Sequence, residues 1–236
     1  MKILFKTTYM KLAEKAKAEA KRKFDFTMPS MPMVEACRAS EFDFFQPFID
    51  SGMMTESQMH RATERYYLGK TRNGMPIFWM IDEMMQPLDA RIGNGWISQM
   101  LKKREPLLQY WPVKHCLFGL HLAYQPSLDH APVAIVESEA SAMVLSELIP
   151  ECIWMAYVTI GNLDPYLLAP LEGRTVTIYP RTDPSMNTYM FFLDYVEIVR
   201  HYSNINLRID STLEHHATPE QKERCIDLLE FICDNP

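Results

Sequence analysis

The sequence predicts an α/β fold in which a mainly parallel sheet with flanking helices is preceded by a smaller α+β lobe. Three observations carry that prediction. From about residue 131 onward, short apolar runs alternate strictly with helical stretches, the pattern of successive βαβ units. Upstream, two helical stretches are followed by a turn signal and a β-prone run, a mixed order. Of the 236 residues, 47% are hydrophobic, enough to bury a sizeable core without disulfide or metal staples. Global disorder is thereby excluded. The expected organisation is a basic arm and linker over residues 1–36, the α+β lobe over 37–125 and the α/β domain over 126–236.

In chain order, residues 9–23 are rich in helix formers but have little apolar stripe. Met28-Pro29-Ser30-Met31-Pro32 then interrupts the chain, because proline removes a donor and restricts its predecessor, and a linker is expected over 24–36. Residues 40–68 read as two helices. The first stops at Ser51-Gly52, and the second opens with Thr55 and Gln58 at capping-box spacing. Asn73-Gly74 marks a turn before the β-prone Pro76–Asp82, with a second strand around Ala90–Trp96. Strands follow at Val133–Val136, Cys152–Val158, Arg174–Tyr179 and Ile205–Ile209. Between and after them come helices at Ser138–Leu148, Leu163–Leu171, Tyr189–Tyr202 and Pro219–Cys233, the last with Pro219 in its first turn.

The net charge of −6 is unevenly placed: residues 1–23 hold eight basic groups against Glu14 and Glu19, leaving an acidic remainder. Such an arm either contacts nucleic acid or another anionic surface, or is a solvated helix. The acidic body argues against tight, salt-resistant DNA binding. The five cysteines include no C-x-x-C pair, so no zinc site is expected, and their odd number fits reduced thiols in a cytoplasm. No early apolar run follows the first lysines, and no stretch of about 18 apolar residues occurs. A soluble cytoplasmic protein without membrane contact is the expectation.

In open α/β sheets chemistry collects beyond the carboxyl ends of the strands. The segments there are Val136-Glu137-Ser138-Glu139, Thr159-Ile160-Gly161-Asn162 and Tyr179-Pro180-Arg181-Thr182-Asp183-Pro184. Carboxylates on neighbouring strand ends can converge on a hard divalent cation, which makes Glu137 and Asp183 a pair of metal ligands for Mg2+ or Mn2+, with Glu139 as a third. The other reading is that they are polar residues ending buried strands. Arg91, Lys102, Lys103 and Arg104 lie in sequence near Trp96, Tyr110 and Trp111, a mixture of charge and aromatic platforms that suits single strands or forms an ordinary mixed surface. His215-His216 beside Glu214 reads as a transition-metal pair or as surface residues near a helix start. Cys116 with His115 or His121 reads as a nucleophile or as a small hydrophobe. The 17 methionines and Phe42, Phe44, Phe45 and Phe48 read as core fillers or a partner surface.

Residues 40–233 resemble the Toprim fold of bacterial-type primases, topoisomerases and related nucleases. Glu137 stands where that family places a glutamate after its first strand, and Thr159-Ile160-Gly161 at the small-residue turn after the second. Arg181-Thr182-Asp183 aligns with an Asp-x-Asp motif. Upstream, Tyr67-Leu68-Gly69, Ile77–Asp82, Arg91-Ile92-Gly93 and Cys116–Leu120 follow the order of elements in a primase catalytic core. Val136–Glu139 and Leu213–Glu220 are similar to primase-derived Toprim-like proteins of bacterial mobile elements. The resemblance implies divalent-metal-dependent nucleotidyl or phosphoryl transfer, with Glu137 and Asp183 catalytic and Arg91, Lys102, Lys103 and Arg104 tracking the strand. Two departures qualify this. Arg181 replaces the first aspartate and cannot ligate a metal, and Ser141 stands where a further carboxylate is expected. Arg181 then either pairs with Glu137 or Glu139 or holds a phosphate. The expectation is a nucleic-acid-associated protein with a degenerate metal site, weak or inactive in transfer, whose partners are single-stranded nucleic acid or replication and mobilisation proteins. The alternative is a catalytically dead scaffold serving as a protein–protein adaptor or host-defence antagonist.

Overall fold

A computed structural model describes residues 29–104 and 114–235. The arm over 9–23, with Tyr110 and Trp111, lies outside the described residues. The chain then forms α1 (Met31–Cys37), a 3-10 turn at Asp43–Phe45, α2 (Gln46–Asp50) and α3 (Glu56–Arg65). Next comes an antiparallel meander of β1 (Gly69–Lys70), β2 (Pro76–Ile81), β3 (Pro87–Ile92) and β4 (Gly95–Trp96), closed by α4 (Ile97–Arg104). The second half alternates β5 (Val133–Val136), α5 (Glu139–Leu148), β6 (Ile153–Ala156), a 3-10 segment at Pro165–Leu171, β7 (Thr175–Ile178), α6 (Asn187–Tyr202) and β8 (Asn206–Ile209). Three short helices finish the chain: α7 (Thr212–His216), α8 (Pro219–Glu223) and α9 (Leu228–Asp234). The protein is thus a mixed α/β fold with one parallel and one antiparallel sheet.

The parallel sheet has the order β6-β5-β7-β8. From β5 the chain crosses one way to β6, and later connections run the other way, to β7 and β8. Right-handed crossovers therefore place α5 on one face, and the Pro165–Leu171 segment and α6 on the other. The contacts agree: α5 packs on α3 and α9, whereas α6 packs on β8 and the 3-10 segment. Cover on both sides explains why every residue of β5 and β6 is buried and why their sequences are continuously apolar.

In the meander, β2 alternates with period two between separate cores. Phe78 and Met80 join the main core, while Ile77, Trp79 and Ile81 pack with Val34 and Ala90. Val34 comes from α1, so residues 31–36, expected as linker, instead form a helix with Pro32 in its first turn that covers the sheet. The expected Ala90–Trp96 strand is split into β3 and β4 at Gly93, whose φ of +56° turns the chain. The strand expected over Cys152–Val158 is shorter because Val158 takes φ +68°. The expected closing helix Pro219–Cys233 is two helices, α8 and α9, broken at Cys225, whose φ is +53°.

The two halves are joined through α5. At its last turn Glu147, with a side chain only 3% exposed, receives Arg61 at 2.7 Å and Arg65 at 3.0 Å from α3. At its first turn Glu139, fully buried, receives Arg91 from β3. Tyr66 donates to the Trp154 carbonyl at 2.7 Å and stacks on Phe118. Gly119 is needed there, because its φ is +84° and a Cβ would sit 2.9 Å from the Tyr66 ring.

Candidate functional site

The chain reverses its crossover direction between β5 and β7, and the crevice outside their carboxyl ends is where open α/β sheets bind ligands. Glu137 follows β5 directly. Ser138 then caps α5, accepting from the Ser141 amide at 3.3 Å, and this fixes Glu137 at the strand exit. Beyond β7, the Thr182 amide donates to the Ile226 carbonyl at 2.9 Å, which holds Arg181 over the crevice. Arg181 Nε lies 3.2 Å from Glu137 Oε2, yet that nitrogen is buried without an aligned hydrogen bond among the described residues. The contact is an ion pair with poor hydrogen-bond direction, and a better-aligned acceptor can displace it.

Burial raises the Glu137 carboxyl above its ordinary range, and Asp227 and Glu139 push the same way against Arg181 and Arg91. Asp227 thus belongs to the site although nothing in the sequence reading singled it out. It is the N-cap of α9, where Oδ1 accepts from the Glu230 amide at 3.0 Å and Glu230 returns a bond from the Asp227 amide. Its other oxygen accepts from the Ser141 hydroxyl. The Asp227-x-x-Glu230 spacing is a capping box and was the available signal for a helix start at this point.

The other expected ligands point elsewhere. Both oxygens of Glu139 accept from Arg91, through Nε and Nη2 at 2.5 Å each, so Arg91 and Glu139 are engaged with one another. Asp183 caps α6: one oxygen accepts from Ser185 at 2.9 Å and Asn187 at 3.0 Å, the other from Thr188 at 2.7 Å. Burial alone would raise its carboxyl, but these bonds outweigh it and hold it below the ordinary range. Among the described residues, no three His, Cys, Asp or Glu side chains converge so as to hold a metal ion. As arranged, Glu137, Glu139 and Asp183 do not fit a resident divalent cation.

Lys102 and Lys103 lie on α4, half-buried and exposed respectively, and Arg104 ends that helix. Near them Trp96 meets the His115 ring at 4.6 Å. Burial raises the Cys116 thiol, with Asp82 and Glu83 adding to the effect, which suits packing better than nucleophilic chemistry. His215 Nδ1 lies 2.8 Å from the Ser211 carbonyl.

Two features of the crevice are costly to the fold. The Tyr157 hydroxyl is buried, in a residue only 2% exposed, and finds no hydrogen-bond partner among the described residues. An unsatisfied buried group costs about 1–3 kcal/mol. Val158 follows, a β-branched residue at positive φ whose amide donates to the Glu137 carbonyl at 3.0 Å, and such strain costs roughly 1–3 kcal/mol. Burial foremost, then Glu137 and Asp227, raises the Tyr157 phenol, with Arg181 opposing.

Residues 89–182 match the family model of a domain of unknown function, DUF6371. The span runs from β3 to Thr182 and contains Arg91, Glu137, Glu139, Tyr157 and Arg181, while Asp183 and Asp227 lie beyond it. No curated protein matches the sequence. No helix among the described residues is long and apolar enough to cross a membrane.

Proposed function

We propose that this chain is a nucleic-acid-associated protein on a Toprim-like, primase-core-like scaffold of mobile-element type. In this reading a built-in arginine takes the place of the catalytic cation. The observation that carries it is the Arg181–Glu137 pair at 3.2 Å across the switch point. A divalent ion in such a crevice joins protein carboxylates on one side to phosphate on the other. Arg181 offers the same bridge: Nε faces Glu137, and a side chain 43% exposed leaves the terminal nitrogens open to a phosphate oxygen. The bridge supplies charge but generates no nucleophile and supports no two-metal displacement, so nucleotidyl or phosphoryl transfer is weak or absent. Lys102 and Lys103 on α4 would add non-specific backbone attraction.

The test is fluorescence anisotropy of a labelled 15-nucleotide dT strand, titrated with the full chain in magnesium and again in EDTA. Equal affinity in both, weakened roughly tenfold or more in Arg181→Gln, is the expected result. Binding abolished by EDTA, or no binding in either buffer, overturns the reading.

The adaptor reading has one specific observation in its favour, the apolar outer face of α6, where Met190, Phe191, Leu193, Ile198 and Tyr202 are exposed. Ile198→Glu leaves oligonucleotide affinity unchanged if nucleic acid is the partner of the crevice.

A further inference from the structure

We infer that the outer face of α6 packs antiparallel on the same helix of a second copy of this chain. The inference is independent of how the crevice is read. It gives to a second copy the face that the adaptor reading leaves to a foreign protein.

A surface helix needs one apolar stripe, and α6 already buries one inward, at Phe192, Tyr195, Val196 and Val199. Its other side should be polar. Instead Met186, Met190, Phe191, Ile198 and Tyr202 are 36–61% exposed there. Tyr166 extends the patch, with its ring centroid 5.8 Å from that of Tyr202. At about 150–250 Å² for a whole large side chain, the exposed parts come to roughly 600 Å². That is the top of the range of about 300–600 Å² for the largest patch on a typical monomer. Two such faces together hold about 1,200 Å² before any polar rim is added, the area at which stable interfaces begin.

The same face carries a register that a second copy answers. Phe191, Asp194, Ile198 and His201 follow at steps of three, four and three, the seam spacing of paired helices, with Tyr202 beside the last. Asp194 and His201 interrupt the apolar seam and need partners when it is covered. In an antiparallel copy related by a two-fold axis beside Glu197, Asp194 meets His201 and Phe191 meets Tyr202, each pair twice over. Both pairs have their midpoint within a residue of Glu197, and Glu197 is itself paired with Arg200 of its own chain. Two copies of a chain of net charge −6 repel at long range, so they meet best on a face whose charges match.

The experiment is sedimentation velocity of the full chain over a concentration range of about 1–100 μM, across which monomer should give way to dimer. Ile198→Glu, at an exposed position outside the inward stripe, should raise the dissociation constant roughly thirtyfold. Asp194→Lys should also weaken the dimer, and adding His201→Glu to it should restore association. Far-ultraviolet circular dichroism of each variant should match that of wild type, which separates loss of the dimer from loss of the fold. A wild-type chain that stays monomeric at the highest concentration overturns the inference and leaves a foreign protein as the occupant. A dimer that Ile198→Glu leaves intact joins through another face and overturns it as well. Failure of the double variant to recover overturns the antiparallel register.

Discussion

Arg91→Ala should be the most damaging single change near the crevice that leaves Glu137 and Arg181 in place. Arg91 is three-quarters buried and makes both hydrogen bonds to a Glu139 carboxylate with no solvent exposure. Removing it strands a buried carboxylate, a change that costs about 3–5 kcal/mol. For a chain of 236 residues, at about 2–4 °C per kcal/mol, that is a fall of roughly 10 °C in the thermal midpoint. Urea and thermal denaturation of Arg91→Ala, Glu139→Gln and the double variant form a cycle, and the double variant should be far less unstable than the sum of the singles. The sign of the pH dependence is fixed as well. Burial already raises the Glu139 carboxyl despite the opposing pull of Arg91. Without Arg91 it rises further, so the folded variant takes up a proton more readily than the unfolded chain. The deficit is therefore smallest in acid, below the ordinary carboxylate value, and grows as pH rises through the folded value. An Arg91→Ala midpoint within about 2 °C of wild type at neutral pH would mean that the buried Glu139 carboxylate does not depend on Arg91.

Asp183→Ala removes the cap from α6 and should cost about 1–2 kcal/mol by urea denaturation. Because the Asp183 carboxyl is held below its ordinary range, its contribution is present above the ordinary value and lost as pH falls through the depressed one, so wild type and variant should converge in acid. His121, 2% exposed and donating from Nε2 to the Arg65 carbonyl at 3.0 Å, is pushed down to about 4 by burial, against the weaker raising effect of that bond. The unfolded chain therefore takes up this proton first, and stability falls as pH drops from 6.5 toward 4, by about 3 kcal/mol from this group. His121→Leu should flatten that slope in a pH series of denaturation midpoints, and an unchanged slope would remove His121 as its source.

Much of the second half was legible because its signals are local. Val133–Val136 read as a doubly covered strand from continuous apolarity, and the structure buries every residue of it, as it does the Ile153–Ala156 part of the strand expected over Cys152–Val158. Thr55 and Gln58 form the capping box that their spacing implies. The pairing of Arg181 with Glu137 was one of the readings open from sequence, since parallel strands bring their exits together. Other features depend on contacts distant in sequence. Glu139 looked like a ligand because the arginine that engages it lies 48 residues earlier. Asp227 lies 86 residues from Ser141, and a helix pattern read straight through Cys225 concealed the break that delivers it. The positive φ of Val158 had no local signal, since the apolar run around it reads as continuous strand.

Whether Arg181 stands in for a divalent cation is tested by titration calorimetry of Mn2+ into the full chain, with Glu137→Gln as control. The pairing of Arg181 with Glu137, the engagement of Glu139 by Arg91 and the capping role of Asp183 predict no stoichiometric heat of binding in either protein. Stoichiometric Mn2+ binding by the wild-type chain that disappears in Glu137→Gln would contradict it.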